Sequence, residues 1–196
     1  MRIGTKATFL IASVATVCAV LFPSNPTSAQ RGNKLAKRIF IQATAMGQST
    51  QLGRIVSVNL TIDELSTPDD QQILLEAFSR DKNEGLVNAL SKMKGKGRMA
   101  ITGTLGYDIN YIRKFSRPDG ATVYRMVTDR PLRFGEAWYD GRSTDYNLSA
   151  AEVVFSANGK KSGTIIPACK FKMDKNKQLE IELLQNPWKL TNIQRR

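Results

Sequence analysis

Residues 169–183 read CKFKMDKNKQLEIEL, and this stretch alone predicts a β-hairpin. Apolar side chains alternate with lysines in its first half and with glutamates in its second half, which is the period-two pattern of a strand. Since directly paired residues point to the same face of a sheet, pairing Phe171 with Ile181, or with Leu179, buries the apolar set and places lysines against glutamates. A shift of one residue would mix the two sets. The pattern therefore predicts an odd-numbered loop and a buried Cys169.

The same alternation recurs along most of the chain after residue 38. Two such runs, 39–46 and 55–62, flank a short turn and predict a first hairpin. Turn signals at 118–120 (Pro-Asp-Gly) and 158–159 (Asn-Gly) separate later runs. About 8–10 strands result, and their short connections require antiparallel pairing. We predict a mainly β (α+β) fold, an antiparallel β-barrel or two-layer β-sandwich, and we prefer a closed or nearly closed barrel over a single curved sheet gripping the helices.

Residues 67–94 interrupt the β pattern and predict an inserted pair of short helices. Thr67 can cap the first amide groups, Pro68 suits the first helical position, and two acidic residues follow. A second start is predicted at Asp81, with Glu84 three residues later. Apolar residues at helical spacing in both halves indicate that the pair packs on the sheet.

The first 29 residues have the order of a cleaved export signal, which is positive, then apolar, then small. We expect cleavage after Ala29, which leaves residues 30–196 as a single antiparallel β-rich domain that is periplasmic or secreted. An uncleaved membrane anchor is disfavoured because the apolar run, 7–22, is shorter than the roughly 20 residues that span a bilayer. A lipid on Cys18 is disfavoured because bulky Val17 precedes it. We expect no transmembrane segment in the mature protein.

The residues available for chemistry exclude several classes of enzyme. The chain has no histidine, which excludes Ser-His and Cys-His nucleophile pairs and the usual zinc sites. After cleavage Cys169 would be the lone cysteine, so neither an intramolecular disulfide nor a thiolate metal cluster could form. No phosphate-binding loop or dinucleotide fingerprint is present, and we predict no cofactor and no metal. Two carboxylates facing across a cleft could still hydrolyse a glycoside, which is the least favoured hypothesis.

Five residues are candidates for a ligand mouth or cavity with aromatic walls: Tyr107, Tyr111, Arg130, Glu136 and Trp138. Tyr107 and Tyr111 are expected on one face of a strand together with Ile109 and Phe115. The alternative interpretation is that Arg130 and Glu136 make ordinary salt bridges at a strand edge and that the aromatic residues fill a core.

The chain is strongly basic, with a formal charge of +12, of which Arg2 and Lys6 belong to the predicted signal. Its cations are scattered along the sequence, so we expect no specific nucleic-acid binding. An exported basic protein more often meets anionic lipid head groups or cell-wall polymers. A basic surface without a dedicated partner is the plainer interpretation.

Four short phrases stand out, GRMAI at 97–101, GTLGY at 103–107, TDRP at 128–131 and KLTNI at 189–193. Together they resemble a family of exported bacterial proteins of unknown function. The resemblance covers most of the chain after residue 29 and implies export from a bacterial cell. It implies no activity.

These observations favour an exported, non-enzymatic β-domain that binds a small apolar or amphipathic ligand in its interior. The alternative is a structural or adhesive cell-envelope protein that binds an anionic envelope component through its basic surface. An internal cavity would favour the first hypothesis. A filled core with lysines and arginines gathered on one side would favour the second.

Overall fold

We analysed a computed structural model of the chain, which describes residues 34–132, 146–173, 179–184 and 186–196. The described part contains one helix, α1 (Pro68–Lys92), and a short 3-10 turn at Ser49–Gln51. It also contains ten strands, all in one sheet: β1 Lys34–Met46, β2 Ile55–Glu64, β3 Gly97–Ile101, β4 Tyr107–Ile109, β5 Tyr111–Ser116, β6 Thr122–Thr128, β7 Leu148–Phe155, β8 Lys161–Met173, β9 Leu179–Leu183 and β10 Trp188–Arg195.

Every strand pairing in the sheet is antiparallel, as the short connections predicted. The spatial order is β4-β3-β2-β1-β10-β8-β7-β6-β5. β8 is long enough to pair with β10 near its start and with β9 near its end, so β9 and β10 lie end to end along one edge of β8.

The sheet nearly closes into a barrel because its two terminal strands are consecutive in the chain. β4 pairs with β3, β5 pairs with β6, and only Asn110 separates β4 from β5. The Asn110 amide donates to the Val127 carbonyl at 3.1 Å, while the Ile109 carbonyl accepts from the Lys96 amide at 2.8 Å. The preferred prediction of a nearly closed antiparallel barrel is confirmed.

The barrel interior is filled by apolar side chains from strands all around the sheet. Ile41, Leu60 and Met126 are among its fully buried members. Alternation places these residues inside and their sequence neighbours outside. Trp188 and Tyr124 are the largest side chains of this core.

A second core lies on the outer face of the barrel, between α1 and strands β5 to β8. Leu74 and Phe78 of the helix pack there with Val127 and Ile166 of the sheet. The neighbours Met126 and Ile165 belong to the barrel interior, which identifies the helix-covered side as the outer face. The helix, which joins β2 to β3, therefore covers one side of the barrel.

α1 begins where the sequence predicts. The Thr67 hydroxyl accepts from the Asp70 amide at 3.0 Å, and the Asp70 carboxylate accepts from the Thr67 amide at 2.7 Å, which is a complete capping box. The backbone leaves helical geometry at Asp81 and Lys82, where the second helix was expected to start. The predicted pair of helices is thus two helical segments that meet at this break.

The register predicted for residues 169–183 is confirmed. Phe171 pairs with Ile181, and the strand ends at Met173 and Leu179 leave an odd number of loop residues. Cys169 is fully buried in the outer core. On the other face Lys170 lies 3.1 Å from Glu182, and Lys172 lies 3.8 Å from Glu180.

The prediction that Tyr107, Ile109, Tyr111 and Phe115 share one face is wrong. Ile109 and Ile112 point into the barrel, whereas Tyr111 belongs to the outer core. Asn110 sits at the point where the chain changes pairing partner, and this extra residue shifts the alternation by one.

Candidate functional site

Three of the five predicted site residues, Tyr107, Tyr111 and Arg130, lie in the described part of the chain, and Arg130 is close enough to Tyr107 to interact with it electrostatically. Tyr107 is half-buried against the barrel interior, and Tyr111 lies in the outer core beneath α1. Burial raises the pKa of Tyr111 to about 12, as expected for a core phenol. Glu136 and Trp138 fall outside the described residues.

Arg130 has two separate roles in its turn. Its exposed guanidinium pairs with Asp129 of the same turn at 2.8 Å. Its backbone carbonyl accepts hydrogen bonds from the Thr128 hydroxyl at 2.6 Å and the Ser149 hydroxyl at 3.0 Å. Since both hydroxyls are buried and so engaged, this cluster ties the start of the 129–147 connection to β7.

Cys169 is not poised for chemistry. Burial raises the pKa of its thiol to about 12, so the nucleophilic thiolate is suppressed near neutral pH. Among the described residues no three metal-ligating side chains come together. Within the same residues no helix is both long and apolar enough to cross a bilayer.

A different group of residues converges at one end of the barrel. The rings of Tyr124 and Phe155 meet edge to face, with centroids 6.0 Å apart, and we call this pair the ring platform. The Arg195 guanidinium carbon lies 5.8 Å from the Tyr124 centroid and 5.7 Å from the Phe155 centroid. Arg195 therefore makes a cation–π contact with both rings.

The register of the sheet brings two lysines to the same platform. Lys114 is the cross-strand partner of Tyr124, and Lys161 is the partner of Phe155. Directly paired residues point to the same face with Cβ atoms about 5 Å apart. Since Tyr124 lies inside the barrel and Phe155 packs against its interior, both lysines flank the platform on the inner side. We call Lys114, Lys161 and Arg195 the basic rim.

Backbone pairing fixes the third member of the basic rim. Arg195 is the partner of Ile41, which points into the barrel. Just beyond it, the Arg196 amide donates to the Phe40 carbonyl at 2.9 Å, and the Phe40 amide donates back at 3.3 Å. These bonds hold the end of β10 against β1, so the sheet sets the backbone position of Arg195.

The basic rim is exposed to solvent, and among the described residues no carboxylate lies within ion-pair distance of it. Lys37 and Lys160 are exposed at the same end of the barrel, and no carboxylate of the described residues pairs with them. Many other cations of the described part do have carboxylate partners. These ion pairs include Arg98–Asp108 at 3.0 Å, Arg117–Glu152 at 2.8 Å and Arg125–Glu152 at 2.6 Å.

The interior beneath the platform leaves no room for a deep ligand among the described residues. Tyr124, Met126 and Val153 are 0 % exposed, so no water-sized space adjoins them. A molecule at the basic rim would therefore contact the exposed cations above the rings, and it would touch the protein from one side. The Tyr124 hydroxyl is also buried and has no hydrogen-bond partner within the described residues.

A buried cation near the same end of the barrel has a contrasting environment. The Lys96 ammonium lies 3.1 Å from both the Glu64 and Asp70 carboxylates, with only 7 % of its side chain exposed. Burial lowers the pKa of Lys96, but its hydrogen bonds to the two carboxylates outweigh that effect and raise the pKa. This Lys96 cluster ties the start of α1 to β2 and β3.

Sequence reasoning missed the basic rim because its members are far apart in the chain. One signal was available, since each residue occupies an inward position at the end of an apolar alternation. Lys114 follows Ile112, and Arg195 follows Ile193. A cation in such a position indicates the open end of a barrel, but only once it is known that the sheet closes into one.

The comparisons with known proteins found no matching family model, no similar curated protein and no similar solved structure.

Proposed function

We propose that the protein is an exported, non-enzymatic β-domain that binds an anionic component of the cell envelope through its basic rim. The component is an anionic polymer or a lipid head group. The observation that carries this proposal is the gathering of Lys114, Lys161 and Arg195 around one aromatic platform with no carboxylate partner among the described residues.

The filled barrel favours this function over an interior ligand. A small apolar or amphipathic ligand inside the barrel would need space beside the interior side chains, and those of the described residues are packed against one another. The basic rim lies above that packed interior, so it is suited to a surface that remains outside the protein.

The physical basis of binding is the electrostatic attraction between exposed cations and a negatively charged surface. Each lysine or arginine near an anionic membrane contributes about 1 kcal/mol, and the attraction falls off within a Debye length. Lys37 and Lys160, at the same end, add to the field of the basic rim. Binding should therefore weaken steeply as salt is added.

The test uses the chain without residues 1–29, because the apolar run at 7–22 would itself bind lipid. The described fold begins at residue 34, so this removal leaves its contacts intact. Binding is measured by co-sedimentation with phosphatidylglycerol-containing vesicles and, in parallel, on immobilised polyphosphate. Pure phosphatidylcholine vesicles are the uncharged control.

Two variants with the same net charge locate the binding surface. The rim variant carries Lys114→Gln, Lys161→Gln and Arg195→Gln. The control variant carries Lys82→Gln, Lys92→Gln and Lys189→Gln, three exposed lysines on α1 and at the other end of β10. Loss of three contacts of about 1 kcal/mol predicts roughly 100-fold weaker binding for the rim variant. The control variant should lose less than about tenfold, since it changes only the net charge.

Equal loss in the two variants would mean that net charge alone drives adhesion, and the proposal would fail. No binding of the unaltered protein to either anionic probe would also overturn it. Thermal unfolding of both variants, expected to match that of the unaltered protein, shows that any difference in binding is not a folding defect.

The export part of the proposal rests on residues 1–29 and has its own test. The mass of the protein recovered from the envelope of its host reports where the chain begins. A mass that starts at Gln30 supports cleavage after Ala29. A mass that includes residues 1–29, or a lipid on Cys18, would contradict the proposed processing.

A further inference from the structure

We infer that the basic rim recognises a phosphoryl group end-on, with Arg195 contacting the phosphoryl oxygens directly. This inference rests on the proposed function and names the chemical class of the anion. Its ligand is the terminal or head-group phosphate of a larger molecule, and the rest of that molecule stays outside the barrel.

The first reason is the shape of the site. Arg195 contacts both rings, whose centroids are 6.0 Å apart, and Lys114 and Lys161 are the cross-strand partners of Tyr124 and Phe155, so the three exposed cations are grouped around one pair of rings. A binder that follows an extended polyanion needs cations spaced along a groove. Cations grouped around one place instead suit a compact anion. A terminal phosphate monoester carries close to two negative charges near neutral pH, and the phosphodiester of a lipid head group carries one.

The second reason is the chemistry of Arg195. The guanidinium presents N–H donors in a planar fork that matches two phosphoryl oxygens, and this is a bidentate contact that lysine cannot make. Contact with the Tyr124 and Phe155 rings restricts the motion of Arg195 before a ligand arrives. Its donors have no carboxylate partner among the described residues, so they remain available to an anion.

The third reason is the closed floor of the site. Tyr124 is 0 % exposed, and Val153 and Met126 below it are equally buried. A bulky ligand cannot descend past the rings, whereas a phosphoryl group can bind above them among the cations of the basic rim, with the rest of its molecule directed outward. The basic rim would thus recognise the phosphoryl end of a ligand and would make no specific contact with the rest of that molecule.

The test is displacement of the protein from phosphatidylglycerol vesicles by inorganic phosphate and, separately, by sodium chloride, with both titrations plotted against ionic strength. Phosphate should displace the protein at an ionic strength at least about tenfold lower than chloride, because only phosphate makes the bidentate contact. Glycerol phosphate and tripolyphosphate, run in the same way, distinguish a lipid head group from a polymer end as the source. The stronger competitor identifies that source.

A conservative substitution separates recognition from charge. Arg195→Lys keeps the charge and removes the fork, so phosphate should compete about tenfold less well while vesicle binding changes by less than about twofold. Arg130→Lys, an exposed arginine paired with Asp129 in the 129–147 connection, is the matched control and should change neither value.

The possible failures are distinct. Strong vesicle binding that phosphate and chloride displace equally, or an Arg195→Lys variant with unchanged competition, overturns this inference and leaves the proposed function standing. No binding to any anionic vesicle or to polyphosphate overturns the proposed function itself, and direct titration with inorganic phosphate then decides the inference.

Discussion

The basic rim and the Lys96 cluster lie near the same end of the barrel and use cations in opposite ways. Lys96 is buried, with its ammonium 3.1 Å from two carboxylates that belong to β2 and to the start of α1. The three cations of the basic rim are exposed and have aromatic neighbours but no carboxylate partner among the described residues. One group is part of the folded core, and the other is open to an external anion.

The difference teaches that net charge is a poor guide to what a basic protein binds. A buried cation held by two carboxylates, such as Lys96, is committed to the fold and offers little to a ligand, and removing it leaves those carboxylates without their shared partner. An exposed cation without a carboxylate partner is stabilised by water and remains available to bind an anion. Stability and binding should therefore respond to different substitutions, and the following predictions examine that separation.

Lys96→Met should have the largest effect on stability, lowering the free energy of unfolding by about 3 kcal/mol. It leaves Glu64 and Asp70 close together without their shared counterion, and removal of one partner of a buried pair costs about 3–5 kcal/mol. The lower end of that range applies because the two carboxylates are partly exposed. Chemical denaturation measures the change. Lys114→Met in the basic rim is the matched control, expected to stay within about 0.5 kcal/mol.

The Lys96 cluster should also govern the acid limit of stability. The Lys96 hydrogen bond lowers the pKa of Glu64 and outweighs the opposing effect of burial. Burial raises the pKa of Asp70, but the Thr67 amide and Lys96 outweigh it and lower that pKa as well.

A carboxyl whose pKa is depressed by folding contributes stability above its unfolded value, near pH 4, and loses it as the pH falls through the folded value. Unfolding curves from pH 7 to pH 2 should therefore steepen below about pH 4. The rim variant should follow the same curve, and Lys96→Met should show a weaker dependence. A curve for Lys96→Met as steep as that of the unaltered protein would mean that other groups set the acid limit.

Thr67→Ala should cost about 1 kcal/mol, the usual effect of removing an N-cap side chain. The substitution removes the hydroxyl that accepts from the Asp70 amide and so loosens the turn that presents Asp70 to Lys96. Thermal unfolding measures the loss, and Thr67→Ser, which retains the hydroxyl, is the control. Unchanged phosphate binding in both variants would support the separation of stability from binding. Weaker phosphate binding by Thr67→Ala would contradict it.

Tyr124→Phe should have the smallest effect, a gain of up to about 1 kcal/mol. The Tyr124 hydroxyl is buried without a hydrogen-bond partner in the described part of the chain, and a buried polar group without a partner is costly. The ring contact with Arg195 is retained, so phosphate binding should not change. A loss of stability would show that the Tyr124 hydroxyl has a hydrogen-bond partner. A loss of phosphate binding would show that this hydroxyl contributes to the binding site.

Local features of the fold could be predicted from the sequence because a few neighbouring residues determine them. The capping box at Thr67 and the register of Phe171 with Ile181 each depend on a short pattern. The face of Tyr111 could not be predicted, because the alternation shifts at Asn110, where the pairing partner of the chain changes from β3 to β6. That change depends on closure of the whole barrel.

The basic rim could not be predicted for the same reason. Lys114, Lys161 and Arg195 meet only after β5, β8 and β10 take their places around the barrel. In the sequence each looks like an ordinary surface cation at the end of a strand. The predicted aromatic site failed to identify them because it relied on residues that are close together in the chain.

The most direct test of the account is an NMR titration of the chain without residues 1–29 with inorganic phosphate, followed through backbone amide signals. We predict that the largest shifts occur at Lys114, Phe155, Lys161 and Arg195, with little change at Lys96 or at the paired Arg98. Largest shifts at Lys96 or Arg98, or no saturable shift at the basic rim, would contradict the claim that the cations of the basic rim form the binding site.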